Sequence, residues 1–320
     1  MSKLSRVLVA GGAGFIGSHI ADRLLDQDIA VTVLDNLYTG RMENIEHRKG
    51  NRKFRFVRGN VKNFNLVKRL VKNVDAVFNE AAVVSVPRSL ENPLLANEVN
   101  VGGTLNLLKA SLDSGVKRFV QASSASVYGN TETLPVDETL APNPVSPYAV
   151  AELAAENYAK VFWRAYGLET VCLRYFNVYG PRQIFSVYSG ATTIFLNTLL
   201  QDQHPIIFGD GNQTRDFVYV EDVVEANMLA LNTEKAVGET CNIATGTPHT
   251  INELIQKIRE KLGKQLKPIY KNPRQGDIRD SYASIEKAKR MLGYKPKFSL
   301  EKGITKLVKY YQKENTKQVL

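Results

Sequence analysis

Cysteine is scarce in this chain. Among 320 residues there are only Cys172 and Cys241, far apart and in strand-like contexts rather than in a CxxC pair. That spacing gives neither a disulfide framework nor a zinc site, and both residues read as packed thiols. Long apolar runs are missing too, since none reaches the roughly 18 residues of a membrane span. The opening MSKLSRVLVAGGAGF does set two basic residues ahead of a short apolar run, as a secretory leader would. The run enters a glycine turn and a helix instead of a cleavage site, so it reads as the first strand of a cytoplasmic protein. Internal repeats and low-complexity tracts are lacking as well. What is there is ordinary globular composition, 43% apolar and 23% charged with mean hydropathy −0.23, which excludes disordered, collagenous and membrane-embedded classes. The length suits roughly two domains, or one large domain with a smaller lobe.

No excess of one charge runs through the whole chain. The net charge of +10 is concentrated in residues 257 to 320, where 18 basic side chains face 6 acidic ones, while residues 1 to 256 stand at −2. Scattered as in IQKIREKLGK and KAKRMLGYKPKF, with few aromatics between, this basicity lacks the stacking platforms of a nucleic-acid surface. A solvated helical face, with a few arginines kept for an anionic small molecule, accounts for it better. Neither a nucleic acid nor a membrane is expected as partner.

Short β-branched runs recur at 6 to 10 (RVLVA), 30 to 35 (AVTVLD), 54 to 58 (FRFVR), 74 to 78 (VDAVF), 117 to 122 (KRFVQA) and 169 to 175 (ETVCLRY), with helix-patterned stretches between them. The alternation predicts an α/β fold on a Rossmann-type, doubly wound parallel sheet. The first three runs are nearly continuous in apolar residues, which predicts strands buried on both faces. Helices are expected at about 15 to 27, 63 to 72, 92 to 114 and 147 to 166, then at about 251 to 262, 284 to 292 and 300 to 313. The expected division is a dinucleotide-binding domain over 1–176, rejoined by 214–240, and a smaller α/β substrate-binding lobe over 177–320.

Gly11-Gly12-Ala13-Gly14-Phe15-Ile16-Gly17 follows the first strand and opens a helix. Glycines there make the tight turn, admit a pyrophosphate to the backbone and let the helix pack on the strand, with helix amides facing the phosphates. The second strand ends in Asp35, 18 residues beyond Gly17, where a carboxylate accepts from both ribose hydroxyls and repels a 2′-phosphate. The pairing predicts NAD, with NADP left as the lesser alternative by Arg41 nearby.

With GGAGFIGSH, LDNLYTG, NVGGTLNLL, ASSASVYG, SPYAV and RYFNVYGPRQ in order, the chain resembles the extended short-chain dehydrogenase/reductases, and within them the UDP-glucose and UDP-N-acetylglucosamine 4-epimerases. The likeness runs from residue 6 to about 310. It includes TRDFVYVEDVVEA at 214 to 226 and GDIRDSYASIEKAKRMLGY at 276 to 294, similar to the sugar-nucleotide lobe of those enzymes. The resemblance implies a tightly held NAD that takes a hydride from C4 of a UDP-hexose, a transient 4-keto sugar that turns about its diphosphate, and return of the hydride to the other face. It implies Tyr148 as general base and Ser124 as the serine bound to the 4-hydroxyl; the plain alternative for Tyr148 is a buried aromatic at a helix start. It implies that Gly11, Gly14, Phe15, Ile16, Gly17, Asp35, Asn36, Gly40, Asn60, Val61, Ala81, Ala82, Asn100, Tyr148 and Tyr175 hold the cofactor, and that no metal takes part. A homodimer pairing the helices at about 92 to 114 and 147 to 166 is implied as well.

The family's motif continues Tyr-x-x-x-Lys, but here the fourth residue after Tyr148 is Glu152. Side chains four apart on a helix share a face, which is how the lysine favours the phenolate and reaches the nicotinamide ribose. A phenol of pKa about 10 needs roughly 4 kcal/mol of help to ionise at pH 7. A carboxylate neighbour acts in the wrong direction, so Glu152 is expected to raise the tyrosine pKa and weaken turnover while still accepting from the ribose. Two smaller departures lie nearby: Asn79-Glu80 stands where relatives carry His-Gln before Ala81-Ala82, and Asn60 where many carry Asp. Asn60 still suits an adenine edge, and Glu80 reads as a solvated loop charge.

For the sugar nucleotide, the resemblance places Asn177, Arg215, Arg274 and Arg279 on the diphosphate, where arginine forks bind bidentately, with Asp277 beside them. It sets Phe208 against uracil, with a core role as the equal alternative, and Ser85, Arg88 and Ser126 by the hexose. Ser281 falls where glucose-only epimerases carry a bulky tyrosine. The space it leaves favours UDP-GlcNAc/UDP-GalNAc without excluding UDP-Glc/UDP-Gal.

Three other readings compete. A 4,6-dehydratase would need an acidic pair right after Ser124, where Ala125 and Ser126 stand instead. A disabled epimerase that only binds NAD and a sugar nucleotide rests on Glu152, and an RNA-binding protein rests on the C-terminal charge alone.

Overall fold

The computed structural model describes residues 4–185, 190–273 and 278–319, with side chains to residue 313. The six β-branched runs form β1 (Arg6–Ala10), β2 (Ala30–Asp35), β3 (Phe54–Arg58), β4 (Ala76–Asn79), β5 (Arg118–Ser124) and β6 (Glu169–Tyr175). They are followed by β7 (Asn177–Tyr179), β8 (Ile206–Phe208), β9 (Thr214–Arg215), β10 (Phe217–Tyr219) and β11 (Thr240–Ile243). β11 returns to β6, completing a seven-stranded sheet in the order β11-β6-β5-β4-β1-β2-β3. Every pairing in it is parallel, as the alternation of strand and helix patterns requires.

Alternating residues of β1 feed opposite faces. Val7 and Val9 pack with α1 (Phe15–Asp26), while Leu8 and Ala10 pack on the other side with α2 (Phe64–Leu70). The first two runs are buried as expected, but β3 has only half-buried and exposed positions. It is one of the sheet's two edge strands, with no strand paired beyond it among the described residues, whereas β11 at the other edge is buried throughout.

Two prolines start α3 (Val86–Glu91) and α4 (Pro93–Ala96) at the positions where a missing N–H costs nothing. The single helix expected at 92 to 114 is not uniform. A π-helical stretch, Asn97–Gly103, separates α4 from α5 (Thr104–Asp113). α6 (Pro147–Tyr166) matches its expected span: Ser146 accepts from the Ala149 N–H at its start, and Gly167 at φ +74 ends it.

The remaining elements are α7 (Ala191–Leu200), α8 (Val220–Asn232), β12 (His249–Thr250), α9 (Ile251–Leu262), β13 (Ile269–Lys271), β14 (Asp280–Ser281), α10 (Glu286–Leu292) and α11 (Leu300–Val319). Among them β9 lies between β12 and β14, and β8 pairs with β13. Cys172 and Cys241 are buried free thiols. Among the described residues no helix is long and apolar enough to cross a membrane.

Candidate active site

β1 and β4 pair in register at Ala10 and Asn79, yet the chain leaves β1 towards one edge of the sheet and β4 towards the other. Such a switch point opens a crevice at the C-terminal strand ends. Here it is a cleft of about 690 Å³.

One side of the cleft is the glycine turn. Gly11 sits at φ +77, and a Cβ there would lie 2.6 Å from the Glu80 backbone; one at Gly17 would lie 2.4 Å from the Gly11 carbonyl oxygen. Gly14, Phe15, Ile16 and Gly17 line the cleft, and no side chain caps α1 at Gly14. Its first-turn amides are therefore available to an anion. Asp35 is buried at the end of β2, accepting from the Ala13 N–H at 3.0 Å and the Leu37 N–H at 2.8 Å. Burial raises its pKa against those bonds. A Cβ on Gly40 would meet Asp35 Oδ1 at 2.6 Å, so only glycine lets that loop approach the carboxylate. Asn36, Asn60, Val61, Ala81, Ala82 and Tyr175 complete this wall. The glycine cradle, the uncapped helix and the buried carboxylate fit a dinucleotide.

Asn100 is placed differently. It lies inside the π-helical stretch, outside the cleft lining, with Oδ1 accepting from the Val83 N–H at 2.8 Å and Nδ2 donating to Glu152 at 2.7 Å.

The opposite wall carries Ser124, Tyr148 and Glu152. Ser124 ends β5, accepts from the Ser126 N–H at 3.1 Å and hydrogen-bonds the Tyr148 hydroxyl. Tyr148, in the first turn of α6, is tied down by its N–H donating to Ser89 Oγ at 3.0 Å. Burial, and then the Glu152 and Glu80 carboxyls, push its phenol well above the usual value, against the Ser124 bond. Burial lifts Glu152 to about 8 against the Asn100 bond, with Glu156 adding to the rise.

Glu80 is no solvated loop charge. It follows directly after β4, lines the cleft, and accepts from the Tyr175 hydroxyl at 2.9 Å. Burial lifts it to about 8 as well, with Glu152 contributing. Its place just past the end of a strand beside the switch point was the available sequence signal.

A second set of residues went unnoticed in the sequence. Behind Ser124 and one turn beyond Glu152, buried Glu156 receives Arg174 at 2.9 and 2.7 Å, Ser123 at 3.0 Å and Lys160 at 2.6 Å. Burial opposes ionisation of Glu156, but the Arg174 and Lys160 charges hold its pKa below the usual range.

The residues expected on the substrate divide into two groups. Ser85 and Arg88 line the cleft, Ser85 capping α3 and the Arg88 guanidinium lying 5.5 Å over the Tyr38 ring. Asn177, Ser126, Phe208, Arg215, Arg279 and Ser281 do not line it. Ser281 pairs in register with Arg215 across β14 and β9, and Asn177 donates to the Asp216 carbonyl at 3.3 Å. Arg215 donates to the Thr214, Ile278 and Arg279 carbonyls, and Arg279 pairs with Asp210 at 3.1 Å. Both guanidiniums are thus engaged by groups of the segments 210–215 and 278–279. Phe208 ends β8 beside a second depression that includes Asp210, Tyr270 and Lys271. The Ser126 hydroxyl oxygen is buried without a hydrogen-bond partner among the described residues. Arg274 and Asp277 lie outside the described residues.

A family model described as GDP-mannose 4,6 dehydratase matches residues 8–307. The chain is 43% identical over 311 residues to a putative UDP-glucose 4-epimerase of Methanocaldococcus jannaschii, covering 97% of this chain and 99% of that one. It superposes with TM-score 0.93 on the UDP-N-acetylglucosamine 4-epimerase of Methanobrevibacter ruminantium in complex with UDP-N-acetylmuramic acid, at 36% identity over 98% and 99% of the two chains. With the Thermus thermophilus UDP-glucose 4-epimerase in complex with NAD the TM-score is 0.86 at 38% identity, over 96% and 99%.

Proposed function

Because the chain belongs to the GDP-mannose 4,6-dehydratase family, within the extended short-chain dehydrogenase/reductases, we propose that it is an NAD-dependent UDP-sugar 4-epimerase. One observation carries this reading: a single cleft unites the glycine turn, Asp35 and the hydrogen-bonded Ser124–Tyr148 pair. NAD held there would supply the hydride chemistry at C4 of the sugar. Gly11, Gly14 and Gly17 let the backbone and the α1 amides bind the pyrophosphate, and Asp35 takes the ribose hydroxyls. Ser124 orients the 4-hydroxyl, and Tyr148 moves its proton. Dehydratase chemistry fits poorly, since Ala125 and Ser126 follow Ser124 and neither moves a proton from carbon.

The 177–320 lobe holds the UDP group. Asn177, Arg215 and Arg279, with Arg274, take the diphosphate, which requires Arg279 to exchange Asp210 for phosphate. Ser281, small where a tyrosine would fill the pocket, favours UDP-GlcNAc and UDP-GalNAc over UDP-Glc and UDP-Gal. The exposed Leu90, Leu94, Val150, Tyr158 and Val161 on α3, α4 and α6 support a homodimer through these helices.

Turnover is slow, because Glu152 stands where a cation would lower the phenol pKa. The same buried glutamate favours a second reading, a protein that binds NAD and a sugar nucleotide without converting it. A proton NMR time course with UDP-GlcNAc, run on this chain and on Glu152→Lys, decides between them. The epimerase reading expects the C4 epimer to accumulate with both proteins, faster with lysine. Tight binding with no product from the unaltered chain sustains the second reading.

A further inference from the structure

We propose that Asp216 is the positioning residue of the sugar-nucleotide lobe: its carboxylate fixes the strands that carry Asn177, Arg215 and Ser281 relative to one another, and so sets the geometry in which the diphosphate is met. The inference rests on the reading above of 177–320 as the lobe that holds the UDP group, and deepens it. Asp216 is fully buried, so it acts through its neighbours.

The chain places it at a junction. Asp216 is the single residue between β9 and β10, which belong to two different sheets. Its N–H donates to the Ser281 carbonyl at 3.0 Å, and its own carbonyl accepts from the Asn177 N–H at 3.2 Å and the Asn177 side-chain amide at 3.3 Å. Arg215 precedes it directly and stands opposite Ser281 in the register of β9 and β14. The backbone of one residue thus meets all three residues expected at the nucleotide.

The side chain decides where that backbone sits. Oδ1 accepts from the Thr245 N–H at 2.8 Å and Thr245 Oγ1 at 2.6 Å, and Oδ2 from the Gly246 N–H at 2.9 Å and the Ala283 N–H at 3.4 Å. Thr245 and Gly246 follow β11 at the edge of the large parallel sheet, and Ala283 follows β14. A carboxylate has about four acceptor sites and no donor, so these four donors match it. An amide in its place keeps one acceptor oxygen and turns an NH2 group towards the donors on the other side, which forces the segments apart. Asp222 provides a contrast. It is also buried and accepts from the Lys297 and Phe298 N–H groups at 2.8 and 3.1 Å, a segment that carries none of the three residues.

The experiment measures binding to the NAD-loaded protein and to Asp216→Asn, Thr245→Val and Asp222→Asn. Calorimetry follows UDP, NMR titration follows uridine, and chromatography of released nucleotide follows retained NAD. Asp216→Asn should weaken UDP about tenfold or more while uridine and NAD change little, because the diphosphate contacts are displaced and the glycine turn is not. Thr245→Val takes only the Oγ1 donor from the carboxylate and should weaken UDP by a smaller factor; it carries the test if Asp216→Asn does not fold. Asp222→Asn should bind UDP as the unaltered chain does. UDP and uridine falling by one factor, or Asp222→Asn weakening UDP as much as Asp216→Asn, makes Asp216 merely structural and overturns the proposal. UDP binding unchanged in Asp216→Asn, or in Thr245→Val where that is the variant that folds, overturns it as well and leaves the nucleotide reading intact. If the unaltered chain binds no UDP, the reading of the lobe itself falls, and the positioning role falls with it.

Discussion

The Asn100 amide donates to Glu152 at 2.7 Å while its carbonyl oxygen accepts from the Val83 N–H at 2.8 Å, so one side chain ties the loop after β4 to the middle of α6. The carboxyl at the family's lysine position is therefore held in a fixed place within the fold.

Replacing Asn100 with alanine leaves a buried carboxyl without its donor. The expected loss is about 1–3 kcal/mol of stability, read as a lower urea midpoint at unchanged slope. Glu152 should then titrate still higher, since the bond that opposes its shift is gone.

Stability should fall as pH rises between about 5 and 8. Glu80 and Glu152 have folded values near 8, above an unfolded value of about 4.3, so the folded state binds more protons across that window. The linkage slope is negative there, on the order of 1 kcal/mol per pH unit for fully buried Glu152. Thermal or urea unfolding at several pH values measures it, and Glu152→Gln should flatten the trend. A rising trend that this substitution leaves unchanged contradicts the buried pair.

Glu156 has the opposite sign. Its folded value is held down, so its contribution is present above the unfolded carboxyl value and is lost as pH falls through the folded one. Glu156→Ala strands buried Arg174 and should cost about 3–5 kcal/mol in chemical denaturation. Replacing Arg174 in the same chain should recover part of that loss.

Gly11→Ala forces a Cβ to within 2.6 Å of the Glu80 backbone at a positive φ. The turn must shift, and retained dinucleotide should fall at least about tenfold, corresponding to roughly 1.4 kcal/mol. Chromatography of nucleotide released from the purified protein reads this directly.

Ser281→Tyr should suppress conversion of UDP-GlcNAc while sparing UDP-Glc, with a change in the ratio of specificities of about 10–200-fold. An equal fall for both sugars would remove Ser281 from the account of selectivity.

The strands and the NAD wall were legible because they depend on local rules: periodicity, a glycine turn, and an acid at a strand end. The β3 edge was not, since FRFVR gives no sign that nothing pairs with its far side. Glu80 was misread for a related reason, because its burial comes from elements distant in sequence, with Tyr175 95 residues away. The same limit hid the ion pair of Glu156 with Arg174, 18 residues on. Arg215 and Arg279 were legible as residue types, but their hydrogen bonds to neighbouring carbonyls and to Asp210 were not.

The π-helical stretch at Asn97–Gly103 also limits how the gene can change. One residue more or less turns a helix by about 100°. Deleting a codon there would make the helix regular, but would swing α4 and α3 round relative to α5. Ser89, which receives the Tyr148 N–H, and Ser85 and Arg88 on the cleft would move with them. A substitution such as Asn100→Ala acts at one contact, whereas a change of length disturbs both walls of the cleft at once.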